Sequence, residues 1–248
     1  MKNQTLTLHG LLVSLLLILF STNVRAEELT IKLDKSPKAL WASHATRVEI
    51  LQGSENKIIV TGDEAALKIF QYRINAEGKL KLGRKKESIV KQIFNHENHN
   101  GVSVKLYVTD PTRIAELDAS GASQITFQTE RFHRDLEIDV SGASKIKLHG
   151  IFNKLEADLS GASSAEINGD FVKAELDLSG ASSCYMVGKG TRMDVECSGA
   201  SNFRGTECYV DQISYEVSGA SRLTTNARQV RASSTSGASR AVVKEWGE

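Results

Sequence analysis

Proline is nearly absent: the chain has two in 248 residues, Pro37 and Pro111. With 40% hydrophobic and 25% charged residues, this composition excludes a disordered or proline-rich linker and points to a globular fold. Charge of one sign is absent too. Thirty-one Lys and Arg face 30 Asp and Glu, a net of +1, so no overall electrostatic case exists for nucleic acid. Aromatics are only 6%. Tyr185, Phe203 and Tyr209 are the few near carboxylates that could serve a sugar. Cysteines number three, an odd count that leaves no complete disulfide set. After the N-terminus, no run is apolar enough to cross a membrane.

The one long apolar run lies at the start. Lys2 precedes Leu11-Leu12-Val13-Ser14-Leu15-Leu16-Leu17-Ile18-Leu19-Phe20, and Val24-Arg25-Ala26 offers a cleavage point. Residues 1–26 therefore read as a signal peptide, with an uncleaved anchor as the alternative. No Cys follows the run, which argues against a lipoprotein. Cleavage removes Lys2 and Arg25 and no acid, so the net charge goes from +1 to −1.

What is abundant is one tetrapeptide. Ser-Gly-Ala-Ser begins at Ser120, Ser141, Ser160, Ser179, Ser198, Ser218 and Ser236, at spacings of 21, 19, 19, 19, 20 and 18. A period near 19 marks a stacked repeat. Before each copy the residues alternate, as in Leu136-Glu137-Ile138-Asp139-Val140 and Leu155-Glu156-Ala157-Asp158-Leu159. Period two means a strand with one buried face. A second short strand follows each copy, as in Lys145-Ile146-Lys147-Leu148, and then a looser turn at Gly150, Asn168-Gly169 or Gly188. The prediction is an all-β solenoid with parallel pairing between coils about 4.8 Å apart. Its stacked corner is Gly121, Gly142, Gly161, Gly180, Gly199, Gly219 and Gly237. Glycine there permits positive φ, and the Ser hydroxyls are free to bond to backbone or to the next coil's Ser. Seven copies without a matched His exclude a serine nucleophile.

The expected layout is one β-solenoid domain over 27–248. Irregular, wider capping coils fill 27–119, regular coils 120–240, and a C-terminal cap 241–248. Gln52-Gly53-Ser54-Glu55-Asn56 is a hairpin or a corner. Arg231, Ser233 and Thr235 replace inward apolar residues in the last coil, and Trp246 covers the open end. Cys184 and Cys197 fall at repeat positions that are otherwise apolar and read as small buried hydrophobes rather than a disulfide. Cys208 falls in a turn and is expected to be exposed.

Two acidic columns stand out. Four residues before each corner are Glu116, Glu137, Glu156, Glu175 and Asp194; two before are Asp118, Asp139, Asp158, Asp177, Glu196 and Glu216. Like charges about 5 Å apart repel by roughly 0.8 kcal/mol even in water. Lys154, Lys173 and Arg192, two positions earlier on the same face, would offset this as a solvated salt-bridge network. The functional alternative is a ladder of weakly bound Ca²⁺ held by Asp139, Asp158, Asp177, Glu156 and Glu175, or a basic partner surface. No other cofactor is implied. His96-Glu97-Asn98-His99 lacks further ligands and reads as a solvated loop, and Arg84-Lys85-Lys86 as a charged turn.

Val48–Glu64, Gly78–Leu82, Val102–Val108 and Leu117–Ser123, with the corner repeat, resemble the "putative auto-transporter adhesin, head GIN domain" family of exported Gram-negative proteins. The resemblance spans nearly all of 27–248 and implies a right-handed parallel β-helix. It carries no catalytic residue. The expectation is an exported protein of the periplasm, outer-membrane surface or medium. It would be an adhesin or assembly scaffold without catalysis, its partner an unknown envelope protein or glycan, with oligomers open. A carbohydrate-active enzyme or glycan-binding module using the acidic face is the alternative; regular acids on short loops argue against catalysis.

Overall fold

The computed structural model describes residues 27–85 and 101–246. The expected signal peptide and the His96–His99 cluster lie outside the described residues.

The repeat folds as a β-solenoid of about seven turns. Its regular strands are β9 (Gln124–Val140), β10 (Lys145–Leu159), β11 (Ser164–Leu178), β12 (Ser183–Cys197), β13 (Asn202–Val217) and β14 (Arg222–Thr235), ending at β15 (Arg240–Glu245). Each pairs in parallel with the next, and like stacks on like: Leu136, Leu155 and Ala174 share one column, as do Glu137, Glu156 and Glu175. The alternation turns Ile125, Ile146, Ala165, Cys184, Phe203 and Leu223 inward, all essentially without solvent contact. Burying one such aliphatic side chain stabilises by about 1.5–3 kcal/mol.

Each coil holds one long strand, not the two short ones expected. The ladder runs through the bend, where Gly150 pairs with Gly169. A Cβ on Gly169 would lie 1.8 Å from the Gly150 carbonyl oxygen. The glycines there let two backbones touch and keep the pairing unbroken, rather than forming a turn that ends it.

At the corner, Gly161 has φ +72°, and a Cβ there would sit 2.9 Å from the Gly142 oxygen. That close approach lets Ala162 N–H donate to the Gly142 carbonyl at 2.8 Å, a bond repeated up the stack. The fourth residue of the motif points inward: Ser123, Ser144, Ser163, Ser182, Ser201 and Ser221 are all buried. Their hydroxyls form only a broken ladder. Ser144 Oγ accepts from Ser123 N–H at 3.2 Å and Ser221 Oγ from Ser201 N–H at 3.3 Å. The Ser163 and Ser182 hydroxyls are buried without a partner.

The N-terminal part is more than a set of wider coils. From β9 the sheet divides. One branch runs through β3 (Arg47–Gln52), β7 (Ser103–Val108) and β4 (Lys57–Gly62) to β1 (Glu27–Lys32). The other runs through β8 (Glu116–Ala119), β2 (Ala39–Ala42) and β6 (Lys79–Arg84) to β5 (Phe70–Ile74). Both branches end in antiparallel strands, β1 on β4 and β5 on β6. A single helical turn-and-a-half, α1 (Glu64–Ile69), is capped by Asp63. Residues 53–56 form an arch, since β7 lies between β3 and β4. Gly53 N–H donates to the Val108 carbonyl and thereby anchors that arch on β7.

The C-terminal coils correct three readings. Cys208 is fully buried in β13, opposite Gly188, because a register shift after Tyr185 carries the strand past the expected turn. Arg231 is not inward. A bulge between Ile213 and Ser214 puts Val230 opposite Ile213, and Arg231 reaches out to Gln212. Trp246 packs edge-on to Tyr209 at 5.4 Å and donates to the Val210 carbonyl. It covers a side of the rod and leaves Arg228–Thr235 exposed. All three cysteines are free thiols. Burial pushes Cys197 up to about 11 and Cys208 up to about 12, which makes both poor nucleophiles.

Candidate functional site: the outward columns

Away from the register shifts, each outward side chain of the regular coils stands over its equivalent in the next coil. On the wall that precedes the corner, the two acidic columns are in register: Glu116, Glu137, Glu156, Glu175 and Asp194 in one, Asp118, Asp139, Asp158, Asp177, Glu196 and Glu216 in the other. Lys154 lies between two of the acids, 2.8 Å from both Glu156 and Glu175, and Lys173 also pairs with Glu175. Hydrogen bonds from Lys154 and Lys173 hold Glu175 below the usual carboxylate range.

Among the described residues, no ion pair reaches the second column, and the only positive charge acting on its head at Asp118 is that of Lys81. Asp158 is raised above the ordinary value by burial first, then by the charges of Asp177, Asp139 and Glu156. At the head of the column Asp118 is pushed up to about 6, by burial and by Asp139 and Glu116. Trp41 caps that head. It stands in register with Asp118, donates its indole N–H to Glu116 at 2.7 Å, and carries the Lys81 ammonium 3.7 Å from its ring centroid. Sequence reading missed Trp41 because nothing in the repeat marks residue 41; only strand pairing brings it beside the acids.

Asp139, Asp158, Asp177, Glu156 and Glu175 are thus brought together on one wall, as neighbours in a flat array. Among the described residues, no group of three or more His, Cys, Asp or Glu side chains could hold a metal ion. Flat strands present carboxylates side by side, whereas Ca²⁺ requires six to eight oxygens around a point.

The wall that follows the corner has a different surface. Lys147, Glu166 and Tyr185 form one column; Gln128, His149 and Asn168 form the next. Between them runs a groove of about 610 Å³. Glu166 accepts from Lys145 and from Lys147, the latter at 2.9 Å, and both bonds hold it ionised. The Tyr185 hydroxyl donates to Glu207 at 3.0 Å. Of the three aromatics that the sequence offered, Phe203 is core and Tyr209 packs on Trp246; Tyr185 alone lines this groove.

The family described as "Putative auto-transporter adhesin, head GIN domain" matches residues 36–245. Solved structures share the fold at low identity. A putative adhesin from Bacteroides fragilis superposes with a TM-score of 0.71 at 13% identity, over 90% of this chain and 97% of that one. A putative lipid binding protein from Parabacteroides distasonis gives 0.71 at 15%, over 91% and 98%. A putative adhesin from the same organism gives 0.71 at 15%, over 91% and 96%. No curated protein matches the chain. No described helix is long and apolar enough to cross a membrane.

Proposed function

The chain belongs to the putative auto-transporter adhesin, head GIN domain family, and from that premise we propose that it is an exported, non-catalytic binding scaffold of the cell envelope. The observation that carries this reading is the acidic wall. Six coils hold their outward carboxylates in strict register on a rigid sheet. The lysines neutralise part of the first column and leave the second with its charge exposed. Such a surface attracts a basic partner over a long contact, with little entropy lost because the side chains are already aligned. The apolar run in residues 1–26 supports export. The regularity of the wall supports binding over catalysis, since catalysis needs one irregular spot where differing groups converge.

The test is capture from the native envelope. The purified chain should retain an envelope component at low salt and release it as salt screens the wall. Replacing Asp139, Asp158 and Asp177 together by Asn should abolish capture while leaving the melting temperature unchanged or higher. Capture indifferent to both salt and substitution would sink the reading, as would recovery of the intact chain solely from the cytoplasm.

A further inference from the structure

We propose that the groove on the other wall is a binding site for an extended, uncharged polysaccharide lying along the rod axis, with Tyr185 as its stacking platform. The proposal rests on reading the rod as a binding scaffold, but it uses a different face and a different ligand.

The groove crosses four successive strands, β9 to β12. Its walls are the Lys147–Glu166–Tyr185 and Gln128–His149–Asn168 columns. Three coil steps of about 4.8 Å give it a length of roughly 14 Å. One coil step is close to one residue of an extended β-linked glycan, so successive sugars would meet equivalent positions on successive coils. The Tyr185 hydroxyl is tied to Glu207 of the next coil, so the ring lies along the wall and does not point away from it. A ring held in this way offers an apolar surface to the C–H face of a sugar without losing rotamer freedom on binding.

The hydrogen-bonding groups fit hydroxyls. The Gln128 and Asn168 side chains are exposed and make no protein hydrogen bond among the described residues. Each amide offers two donors and an acceptor. Glu166 is an ionised acceptor fixed by two lysines, and Lys147 is a donor. The two lysines exceed the Glu166 charge by one, and the Glu130 carboxylate that lines the same groove offsets that excess, which favours a neutral ligand over an ionic one.

The experiment is a calorimetric titration of the purified full chain with soluble cellohexaose, xylohexaose and chitohexaose. At least one should bind with a dissociation constant below about 1 mM. Tyr185→Ala should weaken that binding by about tenfold or more, and Tyr185→Phe, which keeps the ring but loses its tie to Glu207, should weaken it by only about two- to threefold. Asn168→Ala should weaken it several-fold. All three variants should melt with the wild type, because these side chains lie outside the core. Asp158→Asn, on the acidic wall, should bind the sugar normally. No heat with any of the three hexasaccharides, or equal binding by Tyr185→Ala, would overturn the proposal. Loss of binding in Asp158→Asn but not in Tyr185→Ala would overturn it as well and place the sugar on the acidic wall. Envelope capture by the Asp139, Asp158 and Asp177 wall is scored separately, so either proposal fails without the other.

Discussion

The corner at Gly161 and the corner at His44 occupy equivalent places in one stack, yet they are built differently. Gly161 lies between Gly142 and Gly180, with backbone within a Cβ's reach on its N-terminal side. His44 sits beneath Gly121 at φ +59°, followed by Ala45 at the same angle. Ser43-His44-Ala45-Thr46 is in fact an eighth corner. Ser120 N–H donates to the Ala42 carbonyl, Gln124 N–H to the Thr46 carbonyl, and Thr46 N–H to the Ser123 hydroxyl. Inside the stack both the positive φ and the crowding demand glycine. At the N-terminal end the positive φ persists without glycine, but it extends to Ala45, whereas in the repeat the glycine alone carries it. The cap thus keeps the place of the corner and its flanking hydrogen bonds, with a changed backbone.

The sharpest way to break this comparison is Gly161→Val. The side chain would meet the Gly142 carbonyl oxygen and force a β-branched residue into left-handed backbone. A loss of about 3 kcal/mol or more is expected, read as the fall in urea midpoint. A change under about 0.5 kcal/mol would show that the corner is not specially constrained.

A second test concerns His133, which occupies an inward position where the next coils carry Phe152 and Phe171. It is buried beside Phe127 and Phe152, and its ring nitrogens lack a hydrogen-bond partner of good geometry. Burial lowers its pKa, against smaller opposing effects from the Ile114 and Asp135 backbone and the Asp135 and Asp110 charges. The native state therefore stays neutral where the unfolded chain already takes up a proton. The stability contributed is complete above about pH 6.5 and is lost as pH falls below it. His133→Phe should stabilise by about 1 kcal/mol at neutral pH, by removing unsatisfied buried nitrogens. The gain should grow at pH 5. Parallel pH–stability curves for both proteins would refute the titration.

His44→Gly should have a smaller effect and the opposite sign to Gly161→Val. Relief of left-handed strain is offset by the greater freedom of glycine in the unfolded chain and by loss of the hydrogen bond between His44 Nδ1 and Ser43 Oγ. A net gain of about 0.5 kcal/mol is expected in the melting experiment. Clear destabilisation would mean that the imidazole holds the cap together.

Asp158→Asn should move stability least. Burial and the neighbouring aspartates raise its pKa, so its charge is tolerated rather than used for folding. A gain of a few tenths of a kcal/mol at low salt, fading as salt is added, is expected. Millimolar Ca²⁺ should leave both melting temperatures in place. A Ca²⁺-dependent rise in the wild type that Asp158→Asn abolishes would instead establish an ion ladder.

The solenoid, its period, its corner and its two acidic columns were legible because each depends on local spacing. A side chain's direction in a strand follows from parity alone, so Asp139, Asp158 and Asp177 had to share a face once the coils stacked. Ser43-His44-Ala45-Thr46 carried a faint signal, Ser and Ala in the right places, but glycine was the letter that made the repeat visible. The Trp41 contact with the acids and the Tyr185 groove carried none, because both join residues from different strands.

By itself, then, the sequence determined which residues face inward and where each coil turns, because alternation and glycine's conformational range act over a few neighbouring residues. Tertiary structure alone decided the rest. It carried the strand through Gly150 without a break, turned Cys208 into the core, and drew Trp246 onto Tyr209. It also ended the rod in antiparallel strands at β1 and β5. Each outcome depends on register between strands, where one inserted residue reverses every following side chain, and on the need of an unpaired edge to find a partner. Both are set by contacts between distant segments, which no local pattern encodes.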